Sequence, residues 1–205
     1  MEENHCWHCG SPAAESLFCR FCNSLQQPVP DYFRFFGFEP AFSLDGAELE
    51  RRFYSISRQL HPDLFFRALS RERQLSLEAT AILNDAYRTL RDPVLRAEYL
   101  LKELGEAPGE KDRQGAPPEL LEEVFELNEL VEELRHGDAS TRPRVEQAHR
   151  RFLALRAEAD RELEGLYRRY DSAGESAVLG EIRSALGRRR YVQNLIEQVE
   201  KELAP

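Results

Sequence analysis

No stretch of this chain is apolar for long enough to cross a bilayer; a membrane-spanning helix needs about 20 predominantly apolar residues. Positive charge is also scarce. Lys and Arg number 28 against 37 Asp and Glu, and the net charge of -9 argues against a broad basic surface for nucleic acid. No secretory signal is visible, and Met1-Glu2-Glu3-Asn4 lacks the Arg-rich amphipathic pattern of a mitochondrial presequence. The expectation is a protein of the bacterial cytoplasm, with the mitochondrial matrix as the alternative for a processed chain. There is no long internal repeat and no low-complexity tract. Cysteine occurs only 4 times, and never beyond Cys22.

Those cysteines form two C-x-x-C knuckles, Cys6-Trp7-His8-Cys9 and Cys19-Arg20-Phe21-Cys22. Each knuckle lets two thiolates point at one ion, and two facing knuckles supply the closed tetrahedral sulfur set that structural zinc prefers. Metal binding releases the thiol protons, so affinity falls in acid. A set of four thiolates leaves no open position, which makes the site structural rather than catalytic. His5 and His8 flank the first knuckle as bystanders. Three alternatives compete with zinc: iron on the same sulfurs, a redox dithiol, or two disulfides. A redox dithiol usually uses one knuckle at a helix start, and disulfides need an oxidising compartment.

Helical periodicity dominates the rest, and a hydrophobic fraction of 41% suffices for a packed core. Leu49, Phe53, Ile56 and Leu60 recur at helical spacing. Asp45 and Glu48 are placed as a capping box, with Leu44 and Leu49 as a hydrophobic staple. Pro62 stops that helix by biasing His61 out of the α region. A second pattern follows in Leu75, Ala79, Ile82, Ala86 and Leu90. His61-Pro62-Asp63 thus falls in a turn between two helices. A local cap or a solvated loop accounts for such a turn; so does a rigid plug for a partner's groove. A catalytic dyad fits less well, because no Ser or Cys nucleophile with an orienting network is evident nearby.

Gln26-Gln27-Pro28-Val29-Pro30 reads as a stiff polar hinge, and Gly105 to Pro118 as a second, helix-breaking linker. They bound three regions: 1–27, a four-cysteine module; 31–104, a helical hairpin; and 118–205, an antiparallel three-helix bundle. The bundle's first helix spans roughly Glu119 to Leu134, with Leu120, Val124, Leu127, Val131 and Leu134 as its stripe. The second runs from Arg144 to Tyr170 on Val145, Ala148, Phe152, Leu155, Ala159, Leu163, Leu166 and Tyr170. The third runs from Ser176 to Leu203, with Val192, Leu195, Ile196 and Val199 in its later half. His136-Gly137-Asp138 and Ala173-Gly174 punctuate the joins.

The first bundle helix has more apolar residues than its stripe needs. Leu121 and Phe125 lie beside the stripe among Glu122, Glu126, Glu129 and Glu133, with no basic residue before Arg135. One reading is a wide core face with a solvated acidic flank. The other is a partner face, apolar anchors ringed by acids that select a basic partner. The hairpin's first helix has the opposite sign, with Arg51, Arg52 and Arg58 on or near its exposed side and Arg67 in the loop beyond, although Glu48 and Glu50 dilute the charge.

The short aromatic segment Asp31-Tyr32-Phe33-Arg34-Phe35-Phe36-Gly37 ahead of the hairpin, together with His61-Pro62-Asp63, resembles a J-domain. Arg58 to Asp63, Ala81-Ile82-Leu83-Asn84-Asp85-Ala86-Tyr87-Arg88-Thr89-Leu90, Asp92-Pro93 and Arg96-Ala97-Glu98-Tyr99-Leu100-Leu101 are similar to the HscB (Hsc-twenty) branch, which serves iron–sulfur cluster assembly. The resemblance runs from about Asp31 to the C-terminus. It implies an all-α fold, a J-domain helical hairpin plus a C-terminal three-helix bundle, with the small zinc module in front. It implies a co-chaperone and not an enzyme. His61, Pro62, Asp63 and the arginines Arg51, Arg52, Arg58 and Arg67 would meet the ATPase domain of an HscA- or DnaK-type chaperone. Val124 to Glu129 resembles the family's scaffold-binding helix, and Arg190-Tyr191 its aromatic counterpart. Leu121, Glu122, Phe125, Glu126, Glu129, Glu133 and Tyr191 would then contact an IscU-type scaffold, although relatives often carry an apolar residue where Glu122 stands. A general J-protein for unfolded clients is the alternative. A zinc-ribbon nucleic-acid adaptor fits poorly, since only Arg20 is basic near the knuckles. Neither nucleic acid nor membrane is expected as a partner.

Overall fold

Asp31 starts the first helix, α1 (Tyr32–Phe36), by accepting from the Arg34 amide at 3.0 Å; the side chain supplies a partner that a first turn lacks. Gly37 ends it at φ 70°, a left-handed conformation that costs glycine little, and the turn buries Phe33, Phe35 and Phe36. Asp45 caps α2 (Gly46–Leu60) through the amides of Ala47 and Glu48. Only half of the expected capping box forms, because Glu48 gives its carboxylate to Arg51 and Arg52. Five more helices follow: α3 (Ser70–Arg91), α4 (Pro93–Glu103), α5 (Leu121–Arg135), α6 (Arg142–Ala173) and α7 (Ser176–Leu203).

This computed structural model describes residues 5–12, 16–107, 120–136 and 139–204. The acidic N-terminal tetrapeptide, most of the second linker with Glu119, and the Gly137-Asp138 join lie outside the described residues. Among those described, the regular structure is all helical, and no helix is long and apolar enough to cross a membrane. They divide into two compact units, with the boundary after Leu100.

In the first unit α3 packs against both α1 and α2. Leu75, Ala79, Leu83, Ala86 and Leu90 are buried. Leu83, absent from the expected stripe, is buried where Ile82 is only partly so, because a helix gripped on two sides needs a wider apolar face. Phe53 is half-buried and stacks on Tyr87 at 4.2 Å. Tyr32 stacks on Tyr99 at 4.5 Å, and its amide donates to the Tyr99 hydroxyl. The buried Arg96 guanidinium donates to the carbonyls of Phe42 and Leu90, and the buried Ser76 hydroxyl to that of Leu60; buried polar groups persist where they are paired.

The segment expected as a hinge belongs to this unit. Gln26 and Pro28 are buried, and Gln27 donates to Glu78 of α3 at 3.1 Å. The Arg71 guanidinium lies 4.9 Å from the Trp7 ring centroid. The cysteine loops are therefore seated on the hairpin, not tethered to it. Proline stiffens a chain, but the apolar faces beside it decide whether it packs.

In the second unit α5 joins a core with the first part of α6 and the last part of α7: Leu120, Leu127, Leu130, Val131, Val145, Phe152, Val192, Leu195, Ile196 and Val199. Leu130 and, on α6, Tyr167 are buried beyond the expected stripes. Val178, Leu179, Ile182, Ala185 and Leu186 supply the early half of α7's buried face. The α6–α7 pair is long, about 48 Å for the 32 residues of α6 at 1.5 Å per residue.

Candidate functional site

The two knuckles are built alike. Gly10 donates its amide to the Cys6 carbonyl at 2.9 Å, and Asn23 donates to that of Cys19 at 2.8 Å. The amides of Cys6 and Cys19 in turn bond the carbonyls of Ser11 and Ser24. Gly10 and Asn23 both have positive φ, 71° and 56°, the sharp reversal each knuckle needs. The amides of His8 and Phe21 point at the sulfurs of Cys6 and Cys19, each at 3.4 Å. This internal symmetry follows a short sequence repeat, in which each C-x-x-C is followed by a turn residue, Gly10 or Asn23, and then by a serine.

The four sulfurs lie within 4.8 Å of one another. Cys6 and Cys22 are 3.7 Å apart, and Cys9 and Cys19 3.8 Å. The group can hold one metal ion. Cys6 and Cys19 are buried and Cys9 is exposed. Burial opposes ionisation of Cys6, but the Ser24 hydroxyl and the amides of Cys9 and His8 outweigh it and bring the thiol down to about 5. The Ser24 hydroxyl, then the Ser24 amide, also holds Cys22 below the usual thiol range. For Cys19 the amides of Cys22 and Phe21 pull downward, yet burial and the neighbouring sulfurs of Cys22 and Cys6 leave it raised.

At the end of the hairpin, Pro62–Phe65 form one 3₁₀ turn after His61. The Asp63 amide donates to His61 Nδ1 at 3.3 Å, and the two side chains stand 3.5 Å apart at Nδ1 and Oδ2. Both are open to solvent, His61 at 59% and Asp63 at 89%. Around them Leu64, Phe66 and Leu69 are also exposed, Phe66 at 76%. Sequence reasoning missed these three; the available signal was apolar residues in a loop with no helical period to bury them.

The four arginines do not act as a set. Arg52 bonds Glu48 at 2.7 Å and the carbonyls of Phe36 and Gly37 at 2.9 and 2.6 Å, and it lies 4.1 Å over the Phe38 ring. Arg51 pairs with Glu48 at 2.6 Å but stays exposed. The hydrogen bond from Arg52, then that from Arg51, holds the Glu48 carboxyl below the usual range. Arg58 and Arg67 are exposed, with no ion-pair partner among the described residues. Arg52 thus braces α1 against α2, and the unpaired charge sits near the turn.

On α5, Leu121 and Phe125 point outward, Phe125 at 69% exposure. Glu122, Glu126, Glu129 and Glu133 are exposed or half-exposed around them. Arg144 of α6 comes within 4.0 Å of Glu126 and 3.9 Å of Glu133, and Arg151 pairs with Glu123 at 2.6 Å. The acidic rim is therefore partly neutralised on the α6 side and open around Glu122 and Glu129. Tyr191 is half-buried against the core cluster, and no ring contact joins it to Phe125 among the described residues.

The HscB homologue of Arabidopsis thaliana, an iron–sulfur cluster co-chaperone protein by its description, is 31% identical over 201 residues, which cover 97% of this chain and 74% of the relative. The chain belongs to the HscB co-chaperone family. The HscB homologue of Vibrio vulnificus is 39% identical over 131 residues, 60% of this chain and 76% of the relative. The model of the HSCB C-terminal oligomerisation domain matches residues 116–200. The crystal structure of human co-chaperone HscB aligns with TM-score 0.68 at 28% identity over 97% of this chain and 98% of that one. In this HscB-family chain the cysteine loops and the hairpin turn share one compact unit, and the outward face of α5 lies in the other.

Proposed function

We propose that the protein is a co-chaperone of iron–sulfur cluster assembly that does no covalent chemistry of its own. Its hairpin presents His61-Pro62-Asp63 to an HscA- or DnaK-type chaperone and stimulates ATP hydrolysis there, while α5 and Tyr191 hold an IscU-type scaffold. The observation that carries this reading is the turn itself: His61 and Asp63, joined by the bond from the Asp63 amide to His61 Nδ1, stand exposed at the tip of a capped, packed hairpin. Such a group suits a partner's groove and lacks the enclosed surroundings that tune a catalytic pair. Arg58 and Arg67 steer encounter with an acidic surface over about one Debye length, ~8–10 Å in ordinary salt. The turn then shifts the chaperone toward hydrolysis only through differential affinity for one of its states.

Zinc is the proposed metal. A tetrahedron with zinc–sulfur bonds of about 2.3 Å has edges near ~3.8 Å. The 3.7 and 3.8 Å sulfur pairs agree with that. When bound, the ion contributes folding energy to the two loops; the cysteines hold it, and the seat on α3 links the loops to the hairpin.

The decisive experiment is single-turnover ATP hydrolysis by the chaperone with and without this protein. His61→Gln is expected to remove the stimulation while scaffold binding, read by calorimetry, stays unchanged. Full stimulation by that variant refutes the proposal. Capture of mixed unfolded chains in place of one scaffold identifies a general J-protein instead.

A further inference from the structure

Behind the sulfurs lies a buried polar chain that none of the roles above uses. Gln26 is 7% exposed and Ser24 5%. The Gln26 Nε2 group lies 2.9 Å from the Ser24 carbonyl and 2.9 Å from the Ser24 hydroxyl. A carbonyl oxygen only accepts, so the amide group facing it is the NH₂ end, and this fixes the orientation of the Gln26 side chain. Its second proton then goes to Ser24 Oγ. The hydroxyl, already accepting, has its single proton left to give, and the remaining neighbours are sulfurs: Cys22 at 3.1 Å and Cys6 at 3.4 Å. The chain therefore runs one way, from the Gln26 amide through the Ser24 hydroxyl to the thiolates.

The knuckle symmetry supplies an internal control. Ser11 stands two residues beyond Cys9 as Ser24 stands two beyond Cys22, and the two serine carbonyls accept equivalent amides. Yet among the described residues no hydrogen bond joins the Ser11 hydroxyl to any of the four sulfurs, and Ser11 has no buried glutamine two residues on, since Pro12 and Ala13 follow. One pair of sulfurs is served by a hydroxyl, and the other, which includes the exposed Cys9, is not.

We infer that Ser24, oriented by Gln26, is a positioning residue of the metal centre: its one hydroxyl proton is shared between the Cys22 and Cys6 thiolates, at 3.1 and 3.4 Å, and this places that pair and makes the centre asymmetric. This rests on reading the four cysteines as a metal centre. Partners outside the ligand set orient the ligands and offset their negative charge, and their removal typically weakens metal binding by about 10- to 100-fold.

The test uses the full-length protein. Zinc affinity is measured by competition with a chromophoric chelator, and cobalt(II) is loaded separately for its absorption spectrum. The single tryptophan, Trp7, sits in the first knuckle and reports by fluorescence whether each loaded variant has folded. Ser24→Ala is expected to weaken zinc about 10- to 100-fold and to shift the thiolate-to-cobalt charge-transfer bands. Gln26→Leu moves both in the same direction by less, Ser24→Thr recovers most of the affinity, and Ser11→Ala changes neither. Wild-type affinity and spectrum in Ser24→Ala overturn the inference, as does an equal loss in Ser11→Ala. Should Ser24→Ala not fold when loaded, wild-type behaviour in Gln26→Leu overturns it. A wild-type chain that takes up neither zinc nor cobalt refutes the metal centre itself, and the inference with it.

Discussion

The hairpin turn and the outward face of α5 both present side chains to solvent, but they hold them by different means. The turn is fixed by the bond from the Asp63 amide to His61 Nδ1, and the end of α2 before it is held by α3, whose buried Ser76 hydroxyl donates to the Leu60 carbonyl. The α5 face is fixed by what lies behind it: Leu127, Leu130 and Val131 lock the helix, and Leu121 and Phe125 face outward as a consequence. The exposed side chains of the turn, His61 and Asp63, can be changed with little cost to folding. Truncating Leu121 or Phe125, which face solvent, should leave the free protein stable, whereas truncating Leu127 or Val131 behind them should not.

The largest expected effect therefore comes from a small change at the turn. His61→Gln and Asp63→Asn should bring chaperone ATPase stimulation to background in a single-turnover assay and leave helix content and scaffold affinity unaltered, because effects on separate units add. Stripping the metal comes next and tests whether the hairpin is independent of the cysteine loops. With Arg71 over Trp7 and Gln27 on Glu78, chelation should lower the melting temperature of the first unit as well as unfold the loops. An unshifted hairpin melt would restore the picture of a separate, hinged module.

Phe125→Ala should weaken scaffold binding by ~2 kcal/mol, about 30-fold in Kd, while free-protein stability stays within ~0.5 kcal/mol. Tyr191→Ala, half-buried against the core, should cost roughly 1–3 kcal/mol of folding as well. Calorimetric binding beside thermal melts distinguishes the two. Within the basic set, Arg52→Ala should cost roughly 1–2 kcal/mol of stability through its lost carbonyl bonds and ring contact. Arg58→Ala should leave stability alone and slow chaperone association by stopped flow.

The smallest effect concerns acid. The hydrogen bond from Arg135 holds the Glu202 carboxyl below its usual range and ties the end of α5 to α7. A depressed folded pKa means the contribution is complete above the ordinary carboxylate pKa of about 4.3 and is lost as pH falls through the lower folded value. The bundle's melting temperature should decline over that acidic window, and Glu202→Gln should flatten the decline.

Helix α7 falls at the bounds its sequence pattern predicts, and the turn residues sit where Pro62 forces them, because helical period, caps and proline act through neighbours along the chain. The C-x-x-C pairs mark a shared site for the same reason. Other features need the third dimension. Leu83, Leu130 and Tyr167 are buried because a helix packed on two sides hides more than one stripe. The capping box is only half formed because Arg51 and Arg52 compete for Glu48. Arg52 turns inward to carbonyls at Phe36 and Gly37, which no periodicity could foretell.

The sequence by itself determined where α7 runs and where α2 stops, which cysteines group together and which turn carries charge, since each depends on residues a few positions apart. Tertiary structure alone decided that Arg51 and Arg52 pair with Glu48 while Arg58 and Arg67 do not, that the supposed hinge packs into the first unit through Gln26 and Pro28, and that the Ser24 hydroxyl, not that of Ser11, faces two sulfurs. Those outcomes depend on groups brought together by packing, and packing is a property of whole faces in contact rather than of any local run of residues.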